Sequence, residues 1–199
     1  MIPNFLMFAV LAVAGGFGSS WYMVEKGSFL TTRAYGPWVV WTAAGRADAD
    51  PYTRAHFARR GILPVSTSIA LTYEAIIDSD KQRLHSACDY AIEGEEPSAA
   101  WWSLSVYDEQ GRLIENAAER YSYNSATLMR APGGRFSITL ARNARPGNWL
   151  PTGDAGRLTL VLSIEEAQVS GRARRKQAAR GCRASGGSPA DENSLVRSA

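Results

Sequence analysis

Nucleophilic catalysis needs a reactive side chain beside a base, and two histidines, His56 and His85, are available as that base in the 199-residue chain. The stretch "HSAC" places His85 three residues before Cys88, which raises the possibility of a cysteine–histidine pair. Alternation along a strand would put these two side chains on opposite faces, and a disulfide would remove the thiol. The sequence also has no Gly-x-Ser-x-Gly elbow. We find no convincing catalytic constellation, and enzymatic activity stays open.

Metal binding would need three or four converging ligands. His85 and Asp89 would face the same way on a strand, with Asp78 and Asp80 in the adjoining turn. Aspartates in turns usually accept backbone hydrogen bonds. We therefore predict no metal site and no cofactor.

Aromatic and polar residues in the second half of the chain form a candidate pocket for a small molecule or a glycan. Its predicted members are Trp101, Arg120, Tyr121, Asn148 and Trp149. The alternative is structural, because large aromatic side chains also fill the core of a sandwich. In that case Arg120 ties a loop to carboxylates or carbonyls, Asn148 caps a turn, and Trp149 plugs the end of the sandwich.

The segment "IPNFLMFAVLAVAGGFGSSWYMV" has no charged residue and is long enough to cross a bilayer as a helix. It is either a membrane segment or a signal peptide. No Lys or Arg precedes it, as a secretory signal would need, so we predict an uncleaved anchor with Trp21 and Tyr22 at the interface. Lys26 and Arg33 follow the helix and weakly favour a cytoplasmic domain.

One face of this segment carries small side chains at a spacing of four residues, Ala12, Gly16 and Ser20. Such a face permits close approach of a second helix in the membrane. The alternative is the ordinary small-residue content of membrane helices. We treat the three residues as a candidate helix-packing face.

A linker and a short helix follow the anchor. Trp38 to Thr42 is predicted as a short edge strand. In "DPYTRAHFARRG", Asp50 can cap the helix, the proline suits its first position, and Gly61 suits a left-handed exit. Tyr52 shares a face with Ala55, and we expect a short helix on the surface.

From Ile62 onward the apolar residues recur every second position, with turn signals between the runs. The predicted inward sets are Trp102, Leu104 and Val106; Phe136, Ile138 and Leu140; and Leu158, Leu160, Leu162 and Ile164. Seven or more short strands at this spacing predict a mostly β protein, an antiparallel β-sandwich or barrel.

The formal net charge of +3 comes from one segment at the C-terminal end of the sequence. The segment 169–199 carries seven basic and two acidic residues, so the remaining chain is slightly acidic. This segment is poor in bulky apolar residues, and we predict a basic, disordered tail. It has no interleaved aromatics, so we predict no nucleic-acid partner.

Four ordered motifs resemble the bacterial family known as domain of unknown function 1214: "WWSLSVYDEQGRL", "RYSYNS", "PGGRFSITL" and "GNWLPTGDAGRLTLVL". The segment from "GPWVVW" to "RRGILP" resembles the leader of its short, membrane-anchored branch. Two positions depart from the family pattern, because Val161 and Ser163 stand where Arg and Tyr are usual. The resemblance implies a β-sandwich or jelly-roll-like domain and no established reaction. It also implies an envelope protein that faces the periplasm, where a disulfide between Cys88 and Cys182 becomes plausible.

Together these features predict an anchor (1–27), a β-sandwich domain (28–168, with a family-like core at 101–162) and a tail (169–199). We expect a single-pass protein of the bacterial inner membrane with a periplasmic domain. Its expected role is that of a non-catalytic accessory module that associates with a companion domain of the type numbered 1254, which the family resemblance implies, or with another copy of itself. The alternative is a binding protein or hydrolase for a small molecule or glycan that uses the aromatic cleft.

Overall fold

The computed structural model describes residues 2–95, 97, 99–165 and 178–184 of the chain. It contains two helices and ten strands among these residues. In chain order they are α1 (Ile2–Lys26), β1 (Thr32–Tyr35), β2 (Trp38–Trp41), α2 (Pro51–Arg60), β3 (Ala70–Ala75), β4 (Cys88–Glu95), β5 (Trp101–Tyr107), β6 (Ser122–Asn124), β7 (Arg135–Ala141), β8 (Asn148–Pro151), β9 (Thr159–Glu165) and β10 (Ala178–Ala184).

The strands form two sheets. The larger sheet has the order β1-β2-β3-β9-β5-β6, and the smaller has the order β10-β4-β7-β8. All neighbouring strands are antiparallel except β7 and β8, which run parallel. The structure therefore confirms the predicted mostly β, antiparallel fold with an N-terminal apolar helix and one short surface helix.

A single apolar core lies between the two sheets. Trp102 of β5 stacks on Phe136 of β7 with 5.1 Å between the ring centroids, which joins the larger sheet to the smaller. The three inward sets expected from the alternation are all buried. Alternation thus predicted correctly which face of β5, β7 and β9 enters the core.

Helix α2 begins and ends where its sequence signals predict. Both the Tyr52 and the Thr53 N–H groups donate to the Asp50 carboxylate, and Gly61 ends the helix with φ at 65°. The packed face differs from the expected one, because Thr53 and His56 are the buried residues. Thr53 bonds the Asp50 carboxylate, and His56 contacts Trp41 and Val24, which lie outside the helix pattern.

Two strands differ from the sequence expectation. Residues 32–35 lie in the predicted linker, yet they form β1, which pairs with β2 and takes the edge position expected for β2. Residues 178–184 lie in the predicted tail, yet they form β10 against the free edge of β4. Both short strands satisfy their backbone groups by pairing with a neighbour. The rest of the predicted tail lies outside the described residues.

Candidate functional site

Asn148 of the predicted pocket is buried and fully engaged with backbone groups. Its Oδ1 accepts from the Met129 N–H at 2.8 Å, and its Nδ2 donates to the Met129 carbonyl at 2.8 Å and the Ser137 carbonyl at 3.0 Å. The side chain therefore ties the start of β8 to the segment before β7 and to β7 itself. An amide that already makes three such bonds has little capacity for a ligand.

Trp149 sits in a cluster with Tyr123 and Arg120 where β6 approaches β8. The Tyr123 hydroxyl accepts from the Trp149 N–H at 3.0 Å and donates to the Trp149 carbonyl at 3.3 Å, as a neighbouring strand would. The Trp149 indole N–H donates to the Ala141 carbonyl at 3.0 Å. These contacts close the edge of the sandwich between its two sheets.

Arg120 is exposed and covers this cluster from the solvent side. Its guanidinium carbon lies 5.7 Å from the Tyr123 ring centroid and 5.9 Å from that of Trp149. The same guanidinium donates to the Trp149 carbonyl at 3.2 Å. The two distances from the guanidinium carbon to the ring centroids are within the range of a cation–π contact. Arg120 thus binds to a carbonyl, as the structural alternative expected.

The other two predicted pocket residues do not join the cluster. Trp101 is 36% exposed and lies on the outer face of the larger sheet, whereas Tyr123 faces the core opposite Leu104. Tyr121 is half-buried beside β6, and among the described residues it makes no hydrogen bond or ring contact with Arg120 or Trp149. The five side chains therefore do not converge on one pocket.

The polar side chains that suggested catalysis or metal binding serve other roles. The exposed His85 accepts the Ala87 N–H on its Nδ1, and Cys88 is disulfide-bonded. Asp78 accepts the Asp80 and Gln82 N–H groups in its turn. Within the described part of the chain, no three His, Cys, Asp or Glu side chains form a group able to hold a metal ion.

Cys88 lies at the start of β4, opposite Ala184 of β10 in the strand register. The second cysteine, Cys182, belongs to the same strand β10, whose side chains lie outside the described part. The pairing of these two cysteines stays a prediction. The backbone places the two strands side by side, as such a bond requires.

A junction between α1 and α2 brings together residues that the sequence did not link. The His56 Nδ1 lies 2.7 Å from the Val24 carbonyl oxygen, and the imidazole stacks on Trp41 with 4.1 Å between centroids. A carbonyl only accepts, so Nδ1 carries the proton and Nε2 accepts from Arg60 at 3.3 Å. Burial lowers the pKa of His56, outweighing the bond to Val24 that favours the charged form, and Arg60 lowers it further.

A second pair of contacts fixes α2 to α1. The Arg59 guanidinium lies 4.0 Å from the centroid of the Trp21 ring and forms a 3.0 Å ion pair with Glu25. Trp21 and Glu25 are one helical turn apart, so Arg59 bridges both on one face of α1. The sequence suggests His56 only as a base and Trp21 only as an interfacial residue, because these contacts join segments about 35 residues apart.

Residues 6–22 of α1 are exposed. Residues 6–26 form a helix long and apolar enough to cross a membrane, a property that N-terminal signal sequences share. Ala12, Gly16 and Ser20, the candidate helix-packing face, are all exposed. A Cβ atom added at Gly16 would meet nothing within 4 Å. The helix therefore leaves the folded domain without covering this face.

The chain is similar to one protein family and to solved structures. A family described as "Protein of unknown function (DUF1214)" matches residues 69–168. The crystal structure of the VPA0106 protein from Vibrio parahaemolyticus is similar at 18% identity with a TM-score of 0.60. The similarity covers 89% of this chain but 45% of the Vibrio chain, so this chain spans less than half the length of that relative.

A second solved structure, an uncharacterised protein from Burkholderia cenocepacia, shares 19% identity with a TM-score of 0.42, covering 61% of this chain and 31% of that one. No curated protein matches the chain. The Vibrio structure supports the fold, and neither protein's name states a reaction or a ligand.

Proposed function

Because the chain belongs to the DUF1214 family, whose description names no reaction, we propose its role from geometry: a membrane-anchored, non-catalytic accessory module of the bacterial envelope. In this proposal α1 holds the β-sandwich at the membrane, and the module acts by associating with a companion protein. The proposal includes the inner membrane as its location and the periplasm as the side on which the domain lies.

The observation that carries the proposal is the way α1 joins the domain. An exposed apolar helix of this length suits a bilayer, and its last turns are fixed to α2 through Val24, Trp21 and Glu25. A signal sequence that is removed has no need of such contacts with the mature domain. The junction therefore favours an anchor that stays with the protein.

A non-catalytic role is supported by the engagement of the candidate chemical groups. His56 is buried between Trp41 and the end of α1, the Cys88 thiol is oxidised, and Asn148 bonds three backbone groups. The alternative, a binding protein or hydrolase with an aromatic cleft, has less support because Trp101 and Trp149 lie in different regions.

The periplasmic location is supported by the disulfide-bonded state of Cys88. Disulfides persist in the bacterial periplasm and are rare in the reducing cytosol. Lys26 and Arg33 favour the opposite orientation, but Lys26 stands next to Glu25 and two cations are a weak signal. We give the oxidised cysteine more weight.

The proposed partner is a companion domain of the 1254 type, with a second copy of the chain as the other possibility. The Vibrio protein is more than twice as long as the region that this chain matches, so a domain of this fold is part of a longer chain there. The exposed small-residue face of α1 offers a surface on which a partner helix can pack closely.

Co-purification tests the proposal. Full-length protein extracted from its own membrane in mild detergent is expected to bring a stable partner or to run as an oligomer. A strictly monomeric protein without a partner would contradict the proposal. The variant Gly16→Ile tests the small-residue face, with Gly15→Ile as the matched control, because a side chain at either position meets nothing in the monomer. Loss of association in Gly16→Ile alone is expected.

A further inference from the structure

Six exposed apolar side chains lie beside the end of the larger sheet at which α1 joins the domain. Two precede β1 and four precede β3; we call them the apolar rim, consisting of Phe29, Leu30, Ile62, Leu63, Val65 and Ile69. Leu63 is 97% exposed and Phe29 is 88% exposed. Exposed apolar groups that gather in one region mark an interaction surface.

The strand register places these residues at one end of the sheet. Thr32, at the start of β1, pairs with Trp41 at the end of β2, and the end of β2 approaches the start of β3. Ala70, at the start of β3, pairs with Glu165 at the end of β9. The segments that lead into β1 and β3 therefore reach the sheet at the same end.

A tight turn fixes the first two rim residues directly after α1. The Gly27 N–H donates to the Met23 carbonyl, and the Thr32 N–H donates to the Ser28 carbonyl at 2.8 Å. Gly27 has φ at 73°, and a Cβ atom there would lie 2.4 Å from the Thr32 Cγ2. Phe29 and Leu30 thus project from a defined turn that lies three residues beyond the helix end.

The loop between α2 and β3 carries the other four rim residues on a fixed backbone. The Thr67 N–H donates to the Ala44 carbonyl at 3.0 Å. A Cβ atom on Gly45 would lie 2.6 Å from the Ser66 backbone nitrogen, so the two backbones are in direct contact. The loop is held against the domain while its large apolar side chains face outward.

The end of α2 lies beside the last turns of α1. His56 contacts Val24, and Arg59, one turn later in α2, contacts both Trp21 and Glu25. The loop that carries Ile62, Leu63, Val65 and Ile69 begins two residues after Arg59. This loop therefore starts next to the part of α1 that joins the domain.

We infer that the apolar rim inserts into the interfacial layer of the same bilayer that α1 enters, so that the domain lies against the membrane surface. The occupant is lipid, because Phe29 and Leu30 follow the end of α1 within four residues and the loop after α2 begins beside the last turns of the same helix. Apolar side chains at this depth bury themselves among headgroups and upper acyl chains, with Trp21 and Tyr22 as interfacial aromatics. The inference rests on the proposed anchor.

The opposite end of the larger sheet provides matched comparison positions. Ile76 follows the other end of β3, and Leu113 forms a bridge with Tyr107 at the other end of β5. Both side chains reach the surface, so each position can carry a bulky label. If the domain lies on the membrane by the rim, these two positions face water.

Photo-crosslinking of the full-length protein in liposomes of phosphatidylcholine and phosphatidylglycerol tests the inference. Benzoylphenylalanine replaces Phe29, Leu63, Ile76 or Leu113, one position at a time, and also Val13 within α1 as the reporter of anchoring. After illumination, mass spectrometry identifies lipid and protein adducts. We expect the yield of lipid adducts at positions 13, 29 and 63 to be at least about five-fold higher than the yield at positions 76 and 113.

Any other labelling result contradicts the anchor, the insertion of the rim, or lipid as the occupant. Lipid adducts at position 13 without any at 29 and 63 overturn the rim insertion and leave the anchor standing. No lipid adduct at position 13 overturns the anchor and the insertion together. Adducts at 29 and 63 that carry a second copy of the chain or another protein overturn the assignment of lipid as the occupant. Equal lipid labelling at positions 63 and 113 overturns the inference that the domain lies on the membrane by its rim.

Discussion

The Nδ1 atom of His56 lies 2.7 Å from the carbonyl oxygen of Val24, and this contact joins α2 to the last turns of an otherwise exposed helix. The imidazole also stacks on Trp41, which anchors α2 to β2. One side chain thus connects the sheet with the apolar helix. Together with the Arg59 contacts to Trp21 and Glu25, it holds that helix against the sandwich domain.

The junction is expected to weaken in acid. Burial lowers the pKa of His56 below its ordinary value of 6.5, so below that pH the unfolded chain binds a proton that the folded chain excludes. The contribution of the neutral imidazole is complete above pH 6.5, and it is lost as the pH falls from there through the lower pKa of His56 in the folded chain. We expect the melting temperature in detergent to fall between about pH 7.5 and about pH 5.5. Replacing His56 with Gln should reduce this fall.

His85→Gln is the control for the histidine prediction, because His85 is exposed. Aspartates with lowered pKa values, such as Asp50 and Asp108, titrate at lower pH and act equally in both variants. Partial burial works to raise the pKa of Asp50, but hydrogen bonds from Thr53 and Tyr52 outweigh it. An identical pH response in wild type and His56→Gln would contradict the prediction.

Asn148→Ala is expected to destabilise the domain by about 3 kcal/mol, because it removes three hydrogen bonds that the buried Asn148 side chain makes with backbone groups of Met129 and Ser137. Urea unfolding in detergent, followed by tryptophan fluorescence, measures the loss. Asn143→Ala, at an exposed position, is the matched control and should change the stability little. Wild-type stability in Asn148→Ala would show that the side chain is not structural.

The adjacent tryptophans of β5 should respond differently to truncation. Trp102 is 1% exposed and stacks on Phe136, so Trp102→Ala should cost about 3–5 kcal/mol. Trp101 lies on the outer face, so Trp101→Ala should cost about 1 kcal/mol. Denaturant unfolding of both variants gives the comparison. Equal losses would contradict the assignment of the two faces.

A disulfide between Cys88 and Cys182 should keep β10 attached to β4. Reduction is expected to speed tryptic cleavage after Arg180 and Arg183, because the strand then leaves the edge more often. Peptide mapping without reductant should recover the two cysteines in one linked pair. The variants Cys88→Ser and Cys182→Ser should match the reduced wild type, and a free Cys88 thiol in protein isolated from membranes would rule the bond out.

The local signals in this sequence were sufficient for much of the fold. Asp50, Pro51 and Gly61 define α2 because a cap, a proline at the first position and a left-handed exit act within a few residues. The two-residue alternation likewise identified the buried faces of β5, β7 and β9. Such signals depend on neighbours in the chain and can be read without a structure.

The remaining features depend on partners far along the chain. Thr32 to Tyr35 becomes a strand because β2 offers a partner edge, and His56 turns inward because Trp41 and Val24 lie beside it. The candidate pocket was composed of suitable residue types, but their faces and strand neighbours separate Trp101 from Trp149. Asn148 was expected at a turn, and the structure instead shows it bridging two segments.

Strand β9 lies between β3 and β5 in the larger sheet, although both of those strands precede it in the chain. During synthesis the inner edges of β3 and β5 therefore wait for residues 159–165 before they can pair. Pairing over such long separations is slow, and open edges invite association between chains in the meantime. The larger sheet of this domain thus forms only after β9 has been synthesised. Substitutions in β9 should therefore lower the yield of folded protein more than similar substitutions in β1 or β6.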